Sequence, residues 1–131
     1  AEMPRLVHMA EKVEAAHADH AEMPKGLARH LRRMQDELED HMGKEEMILF
    51  PMLGAGPNPM VTMPIQVMLQ EHDDHGRNLK TMRRLANDYR VPADGCATWH
   101  ALYSGLDLLE RELMEHIHIE NNVLFPKALG R

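Results

Sequence analysis

The feature that most constrains this chain is a short sequence pattern that occurs twice, 75 residues apart. Each copy has a glutamate, a histidine and a second glutamate at intervals of four residues, followed by Leu-Phe-Pro. The copies are Glu37, His41, Glu45 and residues 49–51, and Glu112, His116, Glu120 and residues 124–126. One His-x-x-x-Glu pair is common, but two pairs with the same ending indicate that the chain contains a duplicated unit.

In both copies the histidine and the second glutamate fall within a stripe of apolar residues. Residues four apart lie on one face of an α-helix, so each pair would face the protein core. The stripe around the second copy is Trp99, Leu102, Leu106, Leu109, Leu113, Ile117, Val123 and Leu124. Burying an ionisable pair is costly unless another group compensates it. A bound metal ion would do so, and we therefore interpret both pairs as metal ligands.

Apolar residues recur at helical spacing in four segments of the chain. The predicted helices run from Met3 to about Asp19, from Pro24 to about Leu49, from Pro64 to about Tyr89, and from Cys96 to about Asn122. Pro51 is expected to end the second helix, and residues 51–64 are expected to form the longest loop. Strand signals are absent. The sequence predicts an all-α fold, an up-down-up-down four-helix bundle made of two duplicated helical hairpins.

Five ionisable residues lie in the predicted core stripes, namely His41, Glu45, His72, His116 and Glu120. Aligning the first helix with the third at an offset of 76 residues places the counterpart of His72 five residues before Ala1. We therefore expect the natural chain to extend upstream and to supply a sixth ligand, a histidine. Four imidazoles and two carboxylates from four helices suit a dinuclear site in which each carboxylate bridges two cations. This ligand set suits iron, manganese or zinc rather than calcium.

The sequence leaves two interpretations open for several further residues. Glu37 and Glu112 could accept a hydrogen bond from a ligand histidine, or they could be solvated. His75 could be an additional ligand, and His8 could replace an absent upstream ligand. Cys96 is expected to be a buried structural thiol rather than a reactive one. The remaining histidines are expected at the surface: His17, His20, His30, His100 and His118.

Composition and charge narrow the range of partners and compartments. At 131 residues the chain can bury a core as one domain. Its formal net charge of −6 argues against nucleic acid as a partner. No apolar segment approaches the ~20 residues needed to span a bilayer. The given residues do not open on a signal peptide, although a mature form could have lost one. The single cysteine excludes an internal disulfide and fits a reducing compartment, so we expect a cytoplasmic protein with no membrane partner.

These residues resemble a hemerythrin-like domain, and more narrowly the repair-of-iron-centres (Ric) family of bacterial di-iron proteins. The motifs that carry the resemblance are residues 41–51, 71–73, 96–99 and 116–126. The resemblance implies one hemerythrin-like domain over residues 1–131. It also implies two non-haem iron ions in an oxo-bridged di-iron centre, with Glu45 and Glu120 as bridges. Members of the family usually also have an N-terminal domain with a cysteine pair, which residues 1–131 do not contain.

The leading function that the resemblance implies is repair of iron–sulfur clusters after oxidative or nitrosative damage. Nitric oxide or dioxygen would then be the small ligands, and damaged iron–sulfur proteins would be the clients. The first alternative is a module that binds or senses oxygen or nitric oxide without turnover. The second is a metal-stabilised structural or interaction domain. The oligomeric state stays open, with a homodimer of the full-length protein as one option.

Overall fold

The computed structural model of the protein describes residues 2–56 and 59–130. Residues 57 and 58 of the predicted loop lie outside the described residues. Within the described ranges every regular element is helical. The α-helices are α1 (Glu2–Ala16), α2 (Leu27–Lys44), α3 (Phe50–Gly54), α4 (Thr62–Leu85), α5 (Ala97–Ile119) and α6 (Phe125–Ala128). The shorter helical elements are the π turns Glu45–Leu49 and Glu120–Leu124 and the 3-10 turns Pro59–Val61 and Asn87–Tyr89.

The four long helices α1, α2, α4 and α5 pack side by side as a bundle. Helix α1 packs against α2 and α5, and α4 packs against the same two helices. The predicted all-α four-helix bundle is confirmed, because the apolar stripes at helical spacing are the faces that the helices bury. No helix in the described part of the chain is long and apolar enough to cross a lipid bilayer. The fully buried core includes Leu6, Leu27, Leu31, Met82, Trp99, Leu102 and Leu106.

The two helices that carry the duplicated pattern continue beyond the residues at which they were predicted to end. The helical path of α2 passes through a π turn into α3 and does not stop at Pro51, so that prediction is wrong. In each π turn a phenylalanine N–H donates to the carbonyl of a glutamate five residues earlier, Phe50 to Glu45 and Phe125 to Glu120. The proline that follows each phenylalanine sits in the first turn of a new helical segment, where no backbone donor is needed. The repeat is therefore retained in the structure as two matching π turns.

A left-handed turn follows α4. Asn87, Asp88 and Tyr89 have φ angles of 51°, 56° and 62°, a conformation that costs residues other than glycine about 1–2 kcal/mol each. The Tyr89 hydroxyl donates to Glu110 Oε1 at 2.8 Å, and Arg83 donates to the other oxygen at 2.9 Å. Burial and the Glu110 carboxylate raise the pKa of Tyr89, so its hydroxyl remains a donor. These hydrogen bonds hold the turn against α5.

We expect Tyr89→Phe to lower the free energy of unfolding by about 1.5 kcal/mol, because it removes a hydrogen bond to a charged acceptor. Urea denaturation followed by circular dichroism measures the change. Tyr103→Phe is the matched control, because Tyr103 is 2% exposed but its hydroxyl has no hydrogen-bond partner among the described residues. Its free energy should change by less than about 0.5 kcal/mol. Equal effects of the two substitutions would contradict the role given to Tyr89.

Candidate metal centre

Four buried side chains converge at the end of the bundle where the two π turns lie. They are His41 from α2, His72 from α4, and Glu45 and Glu120, which are the first residues of the π turns. Each is 2–3% exposed. One ligand atom from each lies within 4.8 Å of the corresponding atoms of the other three. The structure therefore brings together residues that are up to 79 positions apart in the sequence.

The distances within this cluster are short, yet the contacts lack the geometry of hydrogen bonds. His41 Nε2 lies 2.7 Å from Glu45 Oε1, and His72 Nε2 lies 2.9 Å from Glu120 Oε1. None of these four buried atoms has a hydrogen-bond partner within the described ranges. Leaving a buried polar atom without a partner costs about 1–3 kcal/mol. A cation placed where the four atoms converge would satisfy all of them, so the residues fit a metal ion.

His116 lies at the edge of the cluster. Its Nε2 is 3.2 Å from Glu120 Oε2 and 3.9 Å from Glu45 Oε2. Its side chain is 47% exposed, because it borders a groove of about 380 Å³ between α2, α5 and the start of α1. The five residues that the sequence predicted as metal ligands thus lie together. Four are buried as predicted, but the predicted burial of His116 is wrong, because its side chain lies exposed at the edge of the cluster. The upstream histidine precedes Ala1 and stays a prediction.

Two of the histidines are held through the ring nitrogen that faces away from the cluster. His41 Nδ1 donates to Glu71 Oε1 at 2.8 Å, and His72 Nδ1 donates to Asn121 Oδ1 at 2.7 Å. A neutral imidazole that donates from Nδ1 has an unprotonated Nε2, which is the form that binds a metal. Glu71 is itself anchored, since Lys44 Nζ lies 2.6 Å from its other oxygen. These contacts orient both rings toward the point of convergence.

Neither Glu71 nor Asn121 was predicted from the sequence to be a functional residue, although both lie within the motifs that carry the family resemblance. Each directly adjoins a predicted ligand, and sequence neighbours lie about 100° apart around a helix. A search along one helical stripe therefore passes over them. The signal that could have found them is chemical, because a carboxylate or amide beside one ligand can accept a hydrogen bond from a histidine of another helix.

The charged groups of the cluster shift one another's pKa values. Burial alone would raise the pKa of Glu120, but the neighbouring His72, Glu45 and His116 outweigh it and hold this pKa below its ordinary value. Burial alone would lower the pKa of His41, but Glu45 and Glu71 outweigh it and raise this pKa. Glu120 therefore stays ionised although it is buried, and its negative charge favours a cation at this point.

His75 is buried beside the cluster. It is 3% exposed, and its ring centroid lies 4.8 Å from that of His41. Burial, together with the nearby His41 and His72, lowers its pKa and favours the neutral ring. Its Nδ1 has no hydrogen-bond partner in the described residues, but it does not belong to the group of four converging ligand atoms. Ligation by His75 stays a prediction.

The first glutamate of each sequence copy lies outside the buried cluster. Glu37 is exposed and accepts a hydrogen bond from Asn78 Nδ2, which fits the solvated reading. Glu112 is exposed and lines the groove beside His116. The carboxylate that accepts a hydrogen bond from His41 comes from Glu71 instead.

Two other predictions about burial are wrong. His30 was predicted at the surface but is 6% exposed, and its Nε2 donates to the backbone carbonyl of Asn78 at 2.9 Å. Cys96 was predicted to be buried but is exposed. A backbone acceptor on α4 lets His30 enter the core, and no sequence pattern within α2 reveals that acceptor. His100 and His118 are exposed as predicted, and His8 is exposed as well, outside the group of four converging ligands.

A helical bundle in which buried histidines and glutamates converge on one point is the architecture of a cation-binding protein. The family model described as "Hemerythrin HHE cation binding domain" matches residues 1–128. The chain therefore belongs to the hemerythrin HHE family. The resemblance to hemerythrin-like domains seen in the sequence motifs is confirmed.

Relatives within the family have more specific names. The chain is 50% identical over 128 residues to the "Iron-sulfur cluster repair protein YtfE" of Pectobacterium atrosepticum and to the protein of the same name from Musicola paradisiaca. It is 45% identical over 129 residues to the "Probable iron-sulfur cluster repair protein" of Haemophilus influenzae. Each alignment covers 98% of this chain and 58% of the relative. The chain thus spans less than two thirds of the length of these relatives.

Proposed function

We propose that this chain holds two non-haem iron ions and acts in the repair of iron–sulfur clusters. The proposed ligands are His41, Glu45, His72, His116 and Glu120. The main support is the convergence of four buried ligand atoms that have no hydrogen-bond partner among the described residues. Imidazole and carboxylate would accept iron, manganese or zinc. We favour iron because the relatives are named as iron–sulfur cluster repair proteins.

Each ligand has a distinct part in this proposal. Glu45 and Glu120 each have two oxygens, so each carboxylate can bridge two ions. His41 and His72 present Nε2 as terminal ligands, because their Nδ1 atoms are held by hydrogen-bond acceptors. When bound, iron would supply a site for nitric oxide or dioxygen and a store of metal for damaged clusters.

Apolar side chains close one side of the proposed site. The Phe125 ring stacks on the His72 imidazole, with centroids 5.8 Å apart and planes at 7°. Phe125 belongs to a buried apolar cluster with Leu49, Ile65 and Met68. This packing fixes the His72 ring and excludes water from that side. His116 is the exposed member of the five proposed ligands, with a side chain that is 47% exposed.

The second candidate function is the alternative that the sequence left open, a module that binds nitric oxide or dioxygen without turnover. In the leading proposal, damaged iron–sulfur proteins are the clients and the cytoplasm is the compartment. Residues 1–131 would form one di-iron domain in either case. The two functions differ in whether iron leaves the site.

Iron analysis of this chain, and of a version extended upstream, tests the proposed centre. We expect two iron ions per chain in the extended form and fewer in residues 1–131, because the repeat predicts the sixth ligand upstream. Two iron ions in both forms would support the centre but contradict the upstream ligand. The absence of iron from both forms after anaerobic loading would overturn the di-iron proposal.

Cluster repair requires a separate test. The iron-loaded protein is incubated anaerobically with a client enzyme whose iron–sulfur cluster has been damaged by oxidant, together with a thiol reductant. We expect recovery of client activity with the parent protein and none with His41→Ala, which lacks a proposed ligand. Binding of nitric oxide or dioxygen without any client recovery would favour the second candidate function.

We expect Glu71→Gln to weaken iron binding about 10- to 100-fold, although all five proposed ligands remain. The neutral amide loses the charge that increases the basicity of His41, and it loses the ion pair with Lys44. Competition against a chelator of known affinity measures the change. Asp74→Asn is the control, because Asp74 lies on the same helix but pairs with the exposed Arg77. Equal affinities for the two variants would show that His41 needs no charged partner.

A further inference from the structure

The tryptophan and the two tyrosines of the chain, which have its readily oxidised aromatic rings, adjoin one another. They are Trp99, Tyr103 and Tyr89. The rings of Trp99 and Tyr103 form a T-shaped contact, with centroids 6.3 Å apart and planes at 90°. The rings of Tyr103 and Tyr89 form a second T-shaped contact, with centroids 6.4 Å apart and planes at 62°. The three rings make one continuous aromatic row, from the first turn of α5 to the left-handed turn after α4.

The members of the aromatic row differ in whether their polar hydrogen has an acceptor. Trp99 Nε1 and the Tyr103 hydroxyl are buried and have no hydrogen-bond partner among the described residues. The Tyr89 hydroxyl donates to Glu110 Oε1 at 2.8 Å. Loss of an electron makes a phenol strongly acidic, and a buried positive charge without a partner is costly. Oxidation of the row therefore favours Tyr89, where a carboxylate can take the phenolic proton.

Arg83 holds the proton acceptor in place beside Tyr89. It donates from Nη1 to Glu110 Oε2 at 2.9 Å, and its guanidinium carbon lies 4.9 Å from the centroid of the Tyr89 ring. A cation this close repels a positively charged ring and favours the neutral radical that remains after the proton has left. The φ angle of 62° at Tyr89 is rare for a bulky residue. Such backbone strain is concentrated at functional sites.

Two histidines lie between the other end of the aromatic row and the surface. Trp99 is completely buried, and its ring centroid lies 4.7 Å from that of His17 and 5.1 Å from that of His20. Both histidines are half-buried as a result and are not the free surface side chains that the sequence predicted. One layer of side chains thus separates the Trp99 ring from solvent on this side, so a surface oxidant comes within a short distance of it.

We propose that Tyr89 is a redox-active tyrosine, which a one-electron oxidant at the Trp99 end oxidises through the aromatic row. An oxidant of the nitrogen dioxide class takes one electron from Trp99 and becomes nitrite. An electron then moves from Tyr89 through Tyr103 to Trp99, while the phenolic proton moves to Glu110 Oε1. The products are an intact indole, a neutral tyrosyl radical and a protonated Glu110. A reductant such as ascorbate returns the electron to Tyr89, and Glu110 returns the proton.

This activity is scavenging of radical oxidants, and it is separate from the proposed iron centre. The aromatic row carries the oxidising equivalent out of the core to the half-buried Tyr89, where a small reductant can remove it. Tyr103 lies 17 residues before Glu120 in the chain, or about 25 Å along the helical path. None of the five proposed ligands belongs to the row, so the proposal does not depend on the proposed function.

A photosensitiser attached to Cys96 tests the proposal on the full chain without iron. Cys96 is exposed and is the only cysteine, and it lies about one helical turn before Trp99. A thiol-reactive ruthenium bipyridine complex therefore introduces the oxidising equivalent at this end of the row. A light flash with a sacrificial electron acceptor produces ruthenium(III), and transient absorption distinguishes tryptophanyl from tyrosyl radicals. In the labelled parent chain we expect a tryptophanyl radical first and a tyrosyl radical that rises as the tryptophanyl radical decays.

Tyr89→Phe should abolish the tyrosyl signal and prolong the tryptophanyl radical. Glu110→Gln should slow the rise of the tyrosyl radical by at least about 10-fold, because the amide is a poor proton acceptor. Tyr103→Phe should also slow it, since the middle of the row is then interrupted. Glu115→Gln is the matched control, because Glu115 is an exposed glutamate of the same helix, and it should behave as the parent chain does.

Circular dichroism of each labelled variant establishes that it is folded. Absence of a tyrosyl radical from the labelled parent chain would overturn the proposal. A tyrosyl signal that persists in Tyr89→Phe would also overturn it, because Tyr103 would then carry the radical. Equal rates in Glu110→Gln and Glu115→Gln would do the same, since Glu110 would not be the proton acceptor.

Discussion

Glu45→Gln should reduce the affinity of the chain for iron by more than about 100-fold, a larger effect than loss of an outer partner such as Glu71. Glu45 is central to the cluster, because its Oε1 lies 2.7 Å from His41 Nε2 and 4.0 Å from His72 Nε2. Its Oε2 lies 3.9 Å from His116 Nε2. Glutamine has nearly the same shape but no charge, and it would place amide protons where a cation needs an acceptor. Metal analysis after anaerobic loading, and competition with a chelator, measure the effect.

Glu46→Gln is the control for this prediction, because Glu46 is the next residue but points to solvent. It should bind iron as the parent chain does. Without metal, the melting temperature of Glu45→Gln should be no lower than that of the parent chain. The substitution removes a buried carboxylate, and burial of its charged form costs free energy. Loss of iron would then reflect loss of a ligand and not loss of the fold. Equal iron contents in the two variants would show that Glu45 is not a ligand.

Trp99→Ala should lower the free energy of unfolding by about 3–5 kcal/mol, the range for removal of a large aromatic side chain from a core. Trp99 lies in the first turn of α5 and is completely buried in the main apolar core, where its ring packs against that of Tyr103 in a T-shaped contact with centroids 6.3 Å apart. The substitution leaves a cavity in the core, because the surrounding helices relax only in part around the missing side chain. Urea denaturation followed by circular dichroism measures the loss.

Leu108→Ala is the control for the core prediction, because Leu108 is on the same helix but is 50% exposed. Its free energy of unfolding should change by less than about 0.5 kcal/mol. Iron binding by the folded fraction of Trp99→Ala should match the parent chain, since the proposed centre lies at the other end of α5. A loss of less than about 1 kcal/mol in Trp99→Ala would show that the core rearranges around the missing ring.

Periodicity made the long helices predictable, because a helix buries the same face along its whole length. It also predicted the inner-face positions of His41, Glu45 and Glu120, whereas His116, predicted in the core by the same spacing, is exposed. The π turns were not predictable in this way. A π turn is rare and often marks a functional site. Its presence here depends on the packing that keeps Glu45 and Glu120 inside the bundle.

The polar contacts between helices required the structure. Glu71 holds His41 across 30 positions of sequence, and Asn121 holds His72 across 49. The burial of His30 likewise depends on a carbonyl of α4. A hydrogen bond depends on the distance and angle between two particular atoms. The hydrophobic periodicity of one helix carries no information about the distance or the angle between atoms of two different helices.

The order of residues was sufficient to predict the helices, the internal repeat and five candidate metal ligands. The helices and the ligand positions follow from spacing along a single helix. The repeat follows from the constant offset of 75 residues between its two copies. The tertiary structure decided which ligand atoms converge, which neighbours orient them, and that His116 stays at an open edge. It also brought His17 beside Cys96, 79 positions away. These outcomes depend on how separate helices approach one another, since that approach sets the distances between side chains from different segments.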